Sequence, residues 1–103
     1  MKGIVSMSTL HLVRQSAFSS DDFAQCIQIL GNNDVIALLD DGCYNIKHPL
    51  INTIEQSNNI QLKVIERHAN ARGMIIDEEV FEKITMNNLV ELTFTNDRVI
   101  TWQ

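Results

Sequence analysis

Two cysteines are the residues of this sequence best suited to chemistry, because a cysteine thiolate can attack sulfur and carry it as a persulfide. Cys26 follows Phe23 by three residues and precedes Ile27, so the helical period places it on the flank of an apolar face. No Lys or Arg lies within a turn of it, and apolar neighbours disfavour a thiolate. The pattern favours a partly buried structural cysteine. Sulfur transfer through Cys26 is the alternative.

The second cysteine, Cys43, follows an acidic turn formed by Asp40, Asp41 and Gly42. Its position after the turn predicts that it is more exposed than Cys26. The two carboxylates disfavour its thiolate by like-charge repulsion, so a redox or transfer role is the weaker prediction for Cys43. The turn resembles a metal-binding turn, but such pairs more often bend and solvate the end of a strand.

The three histidines, His11, His48 and His68, show neither the HExxH pattern nor another paired spacing, so the sequence predicts no metal site. His11 alternates with Leu10 and Leu12, which predicts a hydrogen-bonded structural histidine on a strand. The sequence has no Walker loop, no Gly-x-Gly-x-x-Gly and no Gly-x-Ser-x-Gly motif. We therefore expect no complete catalytic constellation and no cofactor.

The acidic turn ends an uninterrupted apolar run at 35–39, Val-Ile-Ala-Leu-Leu, which follows Asp34. A strand that is apolar on both faces must be covered on both faces, which favours a central parallel strand between layers of helices. Ligand and interaction sites of open α/β sheets gather at the carboxyl ends of such strands. The turn is therefore the first place to look for function.

Strand-like and helix-like segments alternate along the rest of the chain. A helix is expected to begin at Ser19 or Ser20 and to end before Gly31. The other expected elements are strands at 9–13, 61–65 and 81–86, a short helix beginning at Pro49 and a polar helix at 66–72. Propensity in the segment 88–102 favours a hairpin that turns at Asn96, without excluding a helix.

The composition is that of one globular α/β domain of 103 residues with a net charge of −5. Its acidic field would repel a phosphate backbone, so direct binding of nucleic acid is disfavoured. No stretch approaches the roughly 20 apolar residues of a membrane span, and the first residues do not resemble a signal peptide. We expect a cytoplasmic protein without disulfides.

Five segments in order resemble the TusB/DsrH family of sulfur-relay proteins. They are 7–18 (MSTLHLVRQSAF), 22–26 (DFAQC), 38–42 (LLDDG), 71–73 (ARG) and Trp102. The resemblance runs over nearly the whole chain, so residues 7–103 are expected to form a single DsrH/TusB-like domain. Residues 1–6 are expected to be an N-terminal extension outside it.

The resemblance implies a three-layer, flavodoxin-like or DsrE-like fold with a mostly parallel central sheet. It also implies a helix from 87 to about 95, against the hairpin that propensity favours. Tertiary context often overrides propensity, so we follow the resemblance there. It further implies a cytoplasmic heterohexamer with TusC/DsrF-like and TusD/DsrE-like subunits, in which the principal sulfur-bearing cysteine lies on the TusD or DsrE subunit.

In the Tus branch such a complex accepts persulfide sulfur from a TusA-like donor and passes it to a TusE-like acceptor, for 2-thiouridine formation at the tRNA wobble position by MnmA. In the Dsr branch a similar complex serves sulfur oxidation. Cys26 falls where DsrH-type members carry a cysteine and where some TusB members have none. The sequence-based hypothesis is a structural subunit of the relay. The alternatives are direct persulfide transfer through Cys26, and a homo-oligomeric interaction or small-molecule-binding module.

Overall fold

A computed structural model describes residues 7–54 and 58–103, and the expected extension at 1–6 lies outside the described residues. Five parallel strands form one sheet in the order β4-β3-β2-β1-β5. The strands are β1 (Thr9–Val13), β2 (Val35–Leu38), β3 (Gln61–Ile65), β4 (Glu82–Ile84) and β5 (Arg98–Trp102). The apolar run at 35–39 supplies β2, which is buried throughout and lies at the centre of the sheet as predicted.

The connections between the strands include three α-helices and two 3₁₀ helices whose bounds lie within the described residues. They are α1 (Asp22–Gln28), α2 (Glu66–Ala71) and α3 (Met86–Thr95), with 3₁₀ helices at Asp40–Lys47 and Pro49–Thr53. The helix beginning at Pro49 is confirmed in the tighter 3₁₀ form. After α2 the backbone turns at Gly73, which has a φ of 68°. Among the described residues, no helix is long and apolar enough to cross a membrane.

The two faces of the sheet carry separate apolar cores. On the first face, α1, α2 and the 3₁₀ segments pack over β1, β2 and β3, with Phe23 and Ala69 fully buried. On the second face, α3 packs through Leu89 and Leu92 over the sheet. The parallel sheet between helices confirms the α/β class that the apolar pattern predicts, and it is the flavodoxin-like architecture that the family resemblance implies.

The segment 86–102 corrects the hairpin that propensity favours, because residues 86–95 are a helix and β5 runs parallel to β1. The helix begins with a capping box in which the Thr85 hydroxyl accepts from the Asn88 N–H and the Asn88 side chain accepts from the Thr85 N–H. Burial of Leu89 and Leu92 at helical spacing against the sheet then outweighs the strand propensity of the segment.

A buried hydrogen-bonded chain joins three parts of the fold. The Asp34 carboxylate accepts from the Thr9 and Gly31 N–H groups, each at 2.9 Å, and from His11 Nε2 at 2.9 Å. The indole N–H of Trp102 donates to His11 Nδ1 at 3.1 Å, so the neutral ring carries its proton on Nε2 and donates it to Asp34. His11 is 1% exposed, which confirms it as a structural histidine.

We predict that Asp34→Asn lowers the free energy of unfolding at pH 7 by about 2–3 kcal/mol, because the amide nitrogen would face a backbone N–H. Burial acts to raise the pKa of Asp34, but hydrogen bonds from Gly31, His11 and Thr9 together lower it below its ordinary value of 3.8. Its contribution to stability is therefore complete above that value and is lost as the pH falls through the folded-state pKa.

Urea unfolding between pH 7 and pH 2 measures both the loss of stability in Asp34→Asn and the dependence of stability on pH. The variant should show a smaller loss of stability on acidification than the wild type. The matched control is Glu79→Gln, which removes an exposed carboxylate. Equal acid sensitivity of the wild type and Asp34→Asn would contradict the prediction.

Candidate functional site

Polar side chains that follow three neighbouring strands lie at the carboxyl edge of the sheet. Arg14 follows β1, Asp40 follows β2, and His68 lies in α2 directly after β3. Arg14 Nε donates to Asp40 Oδ2 at 2.8 Å, and His68 Nδ1 lies 3.6 Å from Asp40 Oδ1. Asp40 therefore binds Arg14 through its carboxylate and lies beside His68, so the three residues form one cluster where the acidic turn was predicted to matter.

Asp40 adopts a backbone conformation that non-glycine residues rarely take, with a φ of 51°. In this conformation its N–H points at His68 Nδ1 and donates to it at 3.0 Å. In neutral His68 the ring proton is therefore on Nε2, and that nitrogen is a hydrogen-bond donor rather than a base. Left-handed backbone costs on the order of 1–2 kcal/mol, which the bonds to Arg14 and His68 help to offset.

The cluster continues on both sides of Asp40. Asp41 accepts from Arg72 Nε at 3.0 Å, and Arg72 Nη1 donates to the His68 carbonyl oxygen. On the other side, Arg14 Nη1 donates to Gln103 Oε1 at 2.7 Å. Arg14 and Gln103 follow β1 and β5, the two strands between which the order of the sheet reverses. Crevices at such switch points are the common ligand sites of open α/β sheets.

Close packing fixes the turn that carries Asp40 and Asp41. The Leu39 N–H donates to the Val13 carbonyl oxygen, and a side chain at Gly42 would collide with the same oxygen. Glycine is therefore the residue that lets the turn approach β1. Cys43, the residue after Gly42, is buried in the same close-packed turn.

Cys43 is fully buried, so the prediction that it is the more exposed cysteine is wrong. The first 3₁₀ helix turns it inward, where its thiol donates to the Leu38 carbonyl oxygen at 3.8 Å. Burial raises the pKa of the Cys43 thiol to about 11; Arg72 acts against this rise, and Asp40 and Asp41 add to it. The thiol lies beneath the charged cluster and not within it.

Cys26 is also fully buried, on the inner side of α1, rather than partly buried as predicted. Burial, and then the charge of Asp34, raise the pKa of its thiol to about 12. The buried Asp34 thus stands near the cysteine of α1, and the carboxyl-edge cluster does not include it. Both cysteines are free thiols.

The other histidine, His48, caps the second 3₁₀ helix by accepting from the Leu50 N–H, and its ring meets Phe18 edge to face. No group of three His, Cys, Asp or Glu side chains within 7–54 and 58–103 could hold a metal ion. The sequence pointed to the acidic turn but missed Arg14, His68 and Arg72. Their positions directly after strands or in the helix after β3 were the available signal, because such residues meet at one edge of a parallel sheet.

The family comparison matches residues 15–99 to the family described as DsrH like protein. The chain belongs to the DsrH-like family. The match includes α1 with Cys26, the acidic turn and α2 with His68. A search of curated proteins found no match to the chain.

DsrH-like membership assigns the chain a role in sulfur relay, within a family that works in multi-subunit complexes. In this DsrH-like protein the carboxyl-edge cluster pairs Arg14 and Arg72 with Asp40 and Asp41, so its charges balance. Such a cluster can meet a partner through hydrogen bonds, but it offers no thiol at the surface.

We predict that neither thiol of the folded DsrH-like chain reacts with a maleimide within minutes at pH 7.5, because both are buried and protonated. Mass spectrometry after brief labelling should show no adduct in native buffer and two adducts in 6 M guanidinium. The denatured sample is the control for reagent activity. Rapid labelling of either cysteine in the native chain would contradict the prediction.

Proposed function

We propose that this chain is a structural subunit of a cytoplasmic sulfur-relay complex, and that another subunit carries the persulfide. The observation that carries the proposal is the complete burial of Cys26 and Cys43.

In a relay step, an acceptor thiolate attacks the outer sulfur of the donor persulfide. The sulfur–sulfur bond of the donor breaks, and the electron pair remains on the donor sulfur as a thiolate.

That step needs a thiolate that the incoming persulfide can reach. Burial raises the pKa of the Cys26 thiol to about 12, so the thiol is protonated at pH 7. The Cys26 side chain is also covered by its own helix and the sheet, so a donor persulfide has no path to its sulfur in this conformation. Both properties support a packing role for Cys26.

We propose partners of the TusC/DsrF-like and TusD/DsrE-like types, assembled with this chain as a heterohexamer. Sulfur would enter the complex from a TusA-like donor and leave to a TusE-like acceptor, in support of 2-thiouridine formation at the tRNA wobble position. The net charge of −5 supports contact with proteins rather than with tRNA. The cluster around Asp40 is suited to such a contact because all of its donors and acceptors lie at one edge of the sheet.

Direct transfer through Cys26 is the second candidate, and a role in sulfur oxidation would follow from the same chemistry. The resemblance to DsrH-type members favours it, because that resemblance implies a cysteine at the position of Cys26. This candidate requires the complex to open the packing of α1 against the sheet, since the thiol is 0% exposed in the isolated chain.

Native mass spectrometry of the tagged protein, purified gently from its own cells, tests the assembly. We expect this chain together with two related subunits in equal copies. A mock purification from cells without the tag is the control. Recovery of the chain alone, or as a homo-oligomer, would overturn the proposal and favour an interaction or small-molecule-binding module.

For Cys26, we predict that Cys26→Ala and Cys26→Ser leave the 2-thiouridine content of tRNA within about twofold of the wild type, because the thiol packs and does not react. Liquid chromatography of nucleosides from cells that contain only the variant measures this content. Cys43→Ala is the matched control, since it removes the other buried thiol. Loss of 2-thiouridine in both Cys26 variants, with the complex intact, would establish direct transfer instead.

A further inference from the structure

One ring nitrogen of His68 lies beside two groups of the same residue. His68 Nδ1 accepts from the Asp40 backbone N–H at 3.0 Å, and it lies 3.6 Å from Asp40 Oδ1. The N–H is a donor, so it binds an unprotonated nitrogen. The carboxylate oxygen is an acceptor, so it binds a nitrogen that carries a proton. The charge state of the ring therefore decides which group of Asp40 it can bind.

The structure shows the arrangement that suits the neutral ring. The Asp40 N–H reaches Nδ1 from a backbone conformation with a φ of 51°, which costs free energy in any residue that has a Cβ atom. The hydrogen bond to the neutral imidazole helps to offset that cost. The left-handed backbone at Asp40 thus depends in part on the absence of a proton from Nδ1.

A proton on Nδ1 would reverse the preference. It would occupy the lone pair that accepts from the Asp40 N–H, and two N–H groups would then face each other. The same proton would attract Oδ1, which needs to move by about 1 Å to form a charge-assisted hydrogen bond. Because Arg14 binds the other oxygen, Oδ2, the carboxylate can take up the ring without losing the guanidinium.

We propose that His68 is a proton switch for the turn at Asp40. In the neutral form the ring binds the Asp40 N–H and stabilises the left-handed backbone. In the protonated form it binds the Asp40 carboxylate, the N–H passes to water, and the backbone leaves the left-handed region. The His68 side chain is 24% exposed, so solvent can supply the proton. Histidine is the side chain whose charge ordinarily changes between pH 5 and pH 8.

The other charged side chains near His68 come from α2 and from the elements that pack against it, which include the first 3₁₀ helix and β3. Within the described ranges, Asp40 supplies the carboxylate that lies within 4 Å of the ring. Arg67 of α2 and Lys47 at the far end of the 3₁₀ helix are exposed. The remaining charges form pairs, which are Arg14–Asp40, Arg72–Asp41, Lys83–Glu66 and Lys63–Glu82.

A second histidine makes the same hydrogen bond without the second group. His48 Nδ1 accepts from the Leu50 N–H at 3.1 Å, and no carboxylate of the described residues lies within ion-pair distance of its ring. Protonation of His48 would remove a helix cap and would not draw Asp40 in any direction. His48 is therefore the matched control within the same chain.

Nuclear magnetic resonance of the full chain, labelled with ¹⁵N, tests the switch. A coupling across the N–H···N hydrogen bond, between the Asp40 amide nitrogen and His68 Nδ1, reports that bond directly. We expect the coupling at pH 8 and its loss at pH 5. The coupling between the Asp40 amide and α protons should change over the same pH range, because φ leaves 51°.

Three variants separate the groups involved. His68→Gln should make the Asp40 signals independent of pH between 8 and 5, because an amide does not titrate there. His48→Gln should keep the wild-type response. Asp40→Asn retains the N–H and tolerates left-handed backbone, but it lacks the charge that favours a protonated ring. In this variant the loss of the coupling should shift to lower pH.

Several results would overturn the inference. They are the absence of the coupling at pH 8, a ring that stays neutral at pH 5, a protonated ring with an unchanged Asp40 backbone, and a wild-type response in His68→Gln. The titration of the wild type decides the question even if a variant fails to fold. The inference goes beyond the proposed function, and because the test uses the isolated chain, its failure would leave that function intact.

Discussion

One buried carboxylate, Asp34, is the interaction on which the arrangement of the sheet depends. It receives hydrogen bonds from β1, from the turn after α1 and from His11, which in turn binds Trp102 of β5. A buried charge is tolerated only when several donors surround it. Because these donors belong to separate segments, the ionised carboxylate is stable only when β1, β2 and β5 are in register. These buried hydrogen bonds thereby fix the register of the strands, which apolar packing alone would not distinguish from a shifted one.

The same carboxylate also acts on Cys26, where burial is the larger cause of the raised pKa of the thiol. Asp34 stands beneath α1, where its charge adds to the burial that keeps the Cys26 thiol protonated. At the other end of β2, the turn at Asp40 places Cys43 under the sheet edge and turns the charged groups outward. Both thiols are therefore buried, and the polar cluster after β2 is exposed. A chain built in this way presents hydrogen-bonding groups at its surface and keeps both thiols buried.

Much of the fold followed from the sequence, since β1, the central position of β2, β3 and the polar helix after it were all read from apolar pattern and turn residues. Two features were not accessible locally. The helix 86–95 has strand-like propensity and depends on burial of Leu89 and Leu92 against distant strands. The burial of Cys43 depends on the 3₁₀ helix that begins at Asp40, a conformation that residue type alone does not specify. In the site, the acidic turn was identified, but Arg14 and His68 reach it only through strand order.

The pairing of β1 with β5 has a consequence for the order of events during synthesis. Arg14 and Gln103, and likewise His11 and Trp102, are separated by about 90 residues of chain. At 5–20 residues per second, on the order of ten seconds pass between the synthesis of β1 and that of β5. During this time the edge of β1 that will pair with β5 is open, and His11 Nδ1 lacks its donor, Trp102. Contacts of such long range form late and slowly. The crevice at the switch point is thus assembled last, and a nascent chain keeps an open strand edge until then.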